Sequence, residues 1–114
     1  MSVIAFEGLR RYTAFTTDGA CPTFALYFSP DEALVLPYGY LYEAVWFKGT
    51  NGREIMLHHR VRRLYIQGEN LGPLLRSFEY YTVRTVHIFD PDRHAPVNPG
   101  ACVVTHIDDK YGGS

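Results

Sequence analysis

The chain has 114 residues, close to the commonest length of a single domain, and its 46% hydrophobic content can fill a core without disulfides or metals. A formal net charge of −1 is too close to neutral to imply a wholesale attraction to nucleic acid, membrane or acidic substrate. No basic-then-apolar leader opens the sequence and no run nears the roughly 18 apolar residues of a membrane helix, so a cytoplasmic protein without a membrane partner is expected.

In the first third, Tyr12 through Thr16 and Phe24 through Phe28 read as strands around an Asp18-Gly19 turn, followed by the short apolar run Ala33 through Leu36. Strands dominate this third, or Asp31, after Pro30, instead caps a short turn of helix. In the middle, Ala44 through Lys48 and Glu54 through His58 flank Gly49-Thr50-Asn51-Gly52. Asn and Gly tolerate the positive φ of tight turns, so the spacing predicts a β-hairpin. Val61 through Gln67 adds a third antiparallel strand, with Arg62, Leu64 and Ile66 on one side and Val61, Arg63, Tyr65 and Gln67 on the other.

After Gly68, Leu71, Leu74, Leu75 and Phe78 recur at the spacing of one helical face, with Asn70 in the N-cap position and Pro73 in the first turn. An amphipathic helix over about 71–81 follows. Val83 through Phe89 reads as a further strand, Asp90 through Gly100, with Pro91, Pro96 and Pro99, as a loop, and Ala101 through Ile107 as the last strand. Residues 110–114 are expected to form a disordered tail. The fold class is α+β: one domain over 1–114, with a bent or barrel-like antiparallel sheet of about six strands and the helix packed on it.

Chemistry-bearing motifs are sparse. There is no Gly-x-Ser-x-Gly, no phosphate-cradling Gly-x-x-x-x-Gly-Lys-Ser/Thr and no Gly-x-Gly-x-x-Gly, so no catalytic residue and no cofactor is assigned. Cys21 and Cys102 stand far apart without a neighbouring base or cation, and read as buried free thiols rather than a disulfide or a nucleophile. No metal is assigned either. His58 and His59 are adjacent and so point to opposite faces of a strand, while His87 and His106 fall on strands that could pair, near Asp90, Asp108 or Asp109. Asp90-Pro91-Asp92-Arg93-His94 collects polar groups on a loop, or is simply a surface turn.

Two segments suggest binding. Tyr38-Gly39-Tyr40-Leu41-Tyr42, if extended, sets three tyrosines on one face close to Trp46, in a chain with nine tyrosines. Tyrosine gives large contact area at low entropic cost, so Tyr38, Tyr40, Tyr42 and Trp46 are interface candidates. Residues 53–84 hold six arginines against three acids, concentrated in His58-His59-Arg60-Val61-Arg62-Arg63. Arg60, Arg62, Arg63 and Tyr65 are therefore the candidates for phosphate attraction and base stacking.

Tyr65-Ile66-Gln67-Gly68-Glu69-Asn70-Leu71 resembles the second conserved segment of Sm-like RNA-binding proteins, a strand ending in Ile-Arg-Gly before a polar and an apolar residue. The resemblance covers about seven residues and implies ring assembly and RNA binding. Gln67 stands where the family has the arginine of its nucleotide pocket, and a helix beginning near Pro73 is expected where the family continues as a strand. A sheet followed by a capping helix also resembles pleckstrin-homology modules at the level of fold. The leading expectation is a non-catalytic protein-interaction or oligomerisation module that associates with itself. The alternatives are an Sm-like RNA-binding assembly and a small metal-dependent or acid/base enzyme using His87, His94 and His106.

Overall fold

The computed structural model describes residues 9–46 and 52–110, at Val45 and Trp46 for the backbone alone. The first half of the chain forms β1 (Phe15–Thr17), β2 (Thr23–Ser29), β3 (Glu32–Pro37), a 3-10 turn (Tyr38–Tyr40) and β4 (Leu41–Trp46). The second half forms β5 (Glu54–His59), β6 (Arg62–Glu69), α1 (Gly72–Glu79), β7 (Val83–His87) and β8 (Val103–Lys110). The class is α+β as expected, but the single barrel-like sheet of about six strands is not found. The strands divide into two sheets, ordered β1-β7-β2-β3 and β4-β5-β6-β8, and no barrel closes.

The division has a topological cause. β1 and β2 do not pair with each other across Asp18-Gly19; β7 enters between them, antiparallel to β1 and parallel to β2. A parallel partner requires a long crossover, which here contains the whole second hairpin and α1. The second sheet follows the local rules more closely. β4 pairs with β5, β5 with β6 through the two-residue Arg60-Val61 turn, and β8 adds antiparallel to β6. The Gly49-Asn51 part of the first hairpin turn lies outside the described residues, and Gly52 carries the positive φ of 76° expected there.

Alternation along each strand sends Phe24 and Leu26 of β2, Val86 of β7, Ile55 and Leu57 of β5, and Leu64 and Ile66 of β6 into one core. Leu71, Leu74, Leu75 and Phe78 complete it from the helix face read in the sequence. Asn70 is not the N-cap. Its φ of 57° leaves Leu71 in that position, and its side-chain amide donates to the Ala101 carbonyl at 3.0 Å, tying the end of the long loop to the helix. At the other end Thr82 N–H donates to Ser77 C=O and Tyr81 N–H to Phe78 C=O, with Tyr81 left-handed at φ 59°. This is a Schellman stop with a tyrosine where glycine is usual, and the Tyr81 ring packs edge-on to Tyr38 at 5.2 Å.

Polar contacts lace the sheets together. Tyr12 hydroxyl donates to His87 C=O at 2.6 Å and accepts from Val104 N–H at 3.0 Å, joining β7 to β8. Tyr38 hydroxyl donates to Val83 C=O at 2.7 Å, and the buried His59 donates from Nε2 to Pro37 C=O at 2.7 Å. Lys110, expected in the tail, is the last residue of β8 and pairs with Arg63; the rest of the expected tail lies outside the described residues. No helix among the described residues is long and apolar enough to cross a membrane.

Candidate functional site

Tyr38, Tyr40 and Tyr42 do not share a face. Proline at position 37 ends β3, and the 3-10 turn that follows rotates Tyr38 into the core, where its hydroxyl is bound, while Tyr40 and Tyr42 remain 43% and 64% exposed. Burial holds the Tyr38 phenol far above its usual pKa, with Cys21 adding to the rise. Trp46 is paired with Ile55 by backbone register, and its side chain lies outside the described residues.

The four basic-cluster candidates are split by the pleat. Arg62 lies on the core-facing side of β6, with Nη1 3.6 Å from Asp109 Oδ2 across the β6–β8 pair. Arg63 and Tyr65 lie on the opposite face, among the charges of the β5–β6–β8 surface: Lys110 and Asp108 in register beside them, Glu54 hydrogen-bonded to Gln67, and Glu43 near His58. That face carries both signs of charge in alternation. Where the Sm-like pattern continues as a strand, this chain has α1.

Arg60 instead joins Tyr40. Its backbone N–H donates to Tyr40 C=O at 3.0 Å, and its guanidinium sits 4.4 Å from the Tyr40 ring centroid, a cation–π contact. Its φ of 54° is the left-handed conformation that the two-residue turn requires. Leu36, Pro37 and His59 line a groove of about 440 Å³ with Tyr40, Arg60 and Val61, so members of both candidate sets meet at the end of β3.

β3 is one of the two outer strands of its sheet among the described residues, β1 being the other, and between Glu32 and Pro37 it carries only Ala33, Leu34, Val35 and Leu36. Leu34 and Leu36 turn toward the core, whereas Val35 is 59% exposed. Natural edges are blunted by charge, proline, bulges or short length, and in the β2–β3 pair the register shifts between Tyr27 and Ser29, at the Glu32 end. Here Glu32 and Pro37 stand only at the two ends.

The three histidines of the enzyme reading are not brought together. The two segments that carry His87 and His106 do touch, through a parallel Ile88–Val104 bridge and the Phe89 N–H donated to Val104 C=O at 2.8 Å, but β7 and β8 belong to different sheets and His106 pairs with Gln67 in the second, so this contact does not bring His106 to His87. His87 and His94 do converge, in a cleft of about 380 Å³ between the β2–β3 turn and the loop after β7. Among the described residues no three of His, Cys, Asp and Glu come close enough to hold a metal ion. No family model, curated protein or solved structure matches this chain.

His87 stacks on Tyr27, with centroids 4.8 Å apart at 19°, and its Nε2 lies 2.9 Å from Thr85 Oγ1, which in turn contacts Thr16 Oγ1. Burial, and then the nearby His94, lower the His87 pKa below its usual value. His94 Nδ1 accepts from Asp90 N–H at 2.9 Å, so the neutral ring carries its proton on Nε2. The Asp90 carboxylate accepts from Asp92 N–H at 2.9 Å, and Asp90 C=O receives the N–H groups of Arg93 and His94. The polar loop read in the sequence is thus a folded turn that presents Asp90, Arg93 and His94 together.

Tyr27 and Ser29 of this cleft were not legible as site residues. They alternate outward between Phe24, Leu26 and Phe28, and only the parallel β2–β7 pairing, in which Tyr27 is opposite His87, brings them to the loop. The cysteines are both free thiols, Cys21 buried and Cys102 partly so, and burial pushes the Cys102 thiol up to about 11. A thiol raised in this way is a poor nucleophile at neutral pH.

Proposed function

We propose that this protein is a non-catalytic protein-interaction module that docks through the edge of β3 and the groove at its end, with a second copy of itself as the partner. The observation that carries this reading is the uncharged Ala33-Leu34-Val35-Leu36 run on an outer strand, with Val35 59% exposed. Such an edge offers backbone N–H and C=O groups to a further strand, and flanking pockets supply the specificity.

The sequence of β3 is self-complementary. A two-fold axis at Val35 sets Val35 opposite its own copy, Leu34 opposite Leu36 and Ala33 opposite Pro37, keeping core-facing residues together and no like charges opposed. Tyr40 and Tyr42, exposed just beyond the strand, extend the contact, and the cation–π pair holds Tyr40 in place before a partner arrives.

Light scattering on a size-exclusion peak tests the reading. The expected result is twice the chain mass for the wild type and the single-chain mass for Val35→Lys, whose far-ultraviolet circular dichroism should be unchanged because residue 35 points to solvent. A wild type that stays monomeric at hundreds of micromolar, or a Val35→Lys protein that still dimerises, would reject it.

A further inference from the structure

The cleft between the β2–β3 turn and the loop after β7 has chemistry that the β3 edge does not use. Its volume of about 380 Å³ is at the small end of ligand sites. Phe28, Pro30, Ile88 and the Tyr27 ring supply apolar and aromatic walls. Arg93, Asp90 and His94 supply polar groups from one turn. Arg93 is exposed and forms no ion pair with any described residue, so its guanidinium keeps its hydrogen-bonding capacity for a ligand.

The charge balance selects the ligand class. His94 accepts a backbone N–H at Nδ1 and so is neutral in this arrangement, with Nε2–H as its donor. Burial favours the neutral form of His87 as well. The charged side chains among the lining residues are then those of Arg93 and Asp90. A phosphate dianion would be only half offset by Arg93 and would be repelled by Asp90 about twice as strongly as a monocarboxylate. A carboxylate carries a single charge and matches the planar fork of arginine in a bidentate geometry. Asp90 Oδ1 already accepts the Asp92 N–H, and the carboxylate retains capacity for a donor on the ligand.

We propose that this cleft binds a small monocarboxylate that carries an apolar or aromatic body and a hydrogen-bond donor on its α-carbon. The carboxylate lies on Arg93 beside His94 Nε2–H, the α-substituent donates to Asp90, and the body packs against Tyr27, Phe28, Pro30 and Ile88. An α-hydroxy acid and an α-amino acid share this chemistry.

Four probes, titrated into isotopically labelled protein and followed by amide and histidine-ring resonances, separate the possibilities: 3-phenyllactate, phenylalanine, 2-phenylethanol and inorganic phosphate. Saturable shifts confined to residues 27–30 and 87–94 are expected with phenyllactate or phenylalanine, and whichever binds tighter identifies the α-substituent. Binding of 2-phenylethanol and of phosphate should be at least tenfold weaker. Arg93→Gln should weaken the carboxylate at least tenfold while leaving the thermal midpoint unchanged. The proposal fails if neither acid binds in the millimolar range, if phosphate binds as tightly, or if Arg93→Gln leaves the affinity as it was.

Discussion

One hydroxyl oxygen of Tyr12 serves both sheets, donating to His87 C=O and accepting from Val104 N–H. The ring is buried against Phe89 and His94, at centroid distances of 5.1 and 5.0 Å, and the Val104 N–H is buried with it, so losing the hydroxyl strands that donor. Tyr12→Phe keeps the ring packing and removes only the bridge. Its expected cost is about 1–3 kcal/mol, the penalty for stranding buried polar groups, read as a lower urea midpoint with an unchanged slope. Sequence inspection placed Tyr12 at the start of a strand and gave no sign of this role. A tyrosine between sheets looks like any other aromatic residue until its two backbone partners, on β7 and β8, are known.

Among the elements, β6 and β8 meet most closely at Gly68, where the register shifts by a bulge. A Cβ at that position would lie 1.8 Å from Val103 O and 2.9 Å from Val103 C, which are backbone atoms with no rotamer to yield. Gly68→Ala must therefore displace β8, at an expected cost of about 3 kcal/mol and a thermal midpoint lower by roughly 10–20 °C. Gly39→Ala is the control: nothing lies within 4 Å of its Cβ, and it should change the midpoint little. What was legible at this scale was whatever short-range pattern determines. The Leu71–Phe78 face, the β5–β6 alternation and the antiparallel pairing of β4 with β5 all follow from spacing and turn chemistry within a few residues. The tyrosine segment misled because alternation assumes an extended chain, and Pro37 followed by a 3-10 turn breaks that assumption at Tyr38. The β2–β7 pairing had no local signature, and with it went Tyr27 and half of the cleft.

For the whole molecule, buried ionisable groups set the pH range of stability. Tyr12 is raised to about 12, chiefly by burial, from an ordinary value of 10; Tyr38 is raised further; Cys102 rises to about 11. Each is neutral in the fold and ionises more readily unfolded. Their contribution is therefore whole below the unfolded values and is lost as the pH climbs through 10 toward 12. His87 works from the other side. Its folded pKa lies below 6.5, so the unfolded chain takes up its proton first, and stability falls as the pH drops below about 6.5. A thermal-midpoint profile should show a plateau between about pH 7 and 9 with a decline on each side. His87→Gln should remove part of the acid limb, and Tyr12→Phe part of the alkaline one. An alkaline limb that Tyr12→Phe leaves untouched would assign it to other groups.

The insertion of β7 between β1 and β2 also governs the order in which the chain can fold. As synthesis proceeds, β2 and β3 can form their hairpin and β4, β5 and β6 their meander, each from neighbours in sequence. Among the described residues β1 has no strand partner at all until residues 83–87 emerge, and the far side of β2 stays open until the same moment. The first sheet thus waits for a closure of high contact order, which is slow relative to the local hairpins. During that wait Phe24 and Leu26 lack the Val86 neighbour that helps to cover them. A nascent chain stalled before β7 is consequently not a smaller version of the domain but an adhesive half-sheet, the kind of aggregation-prone species for which chaperones exist.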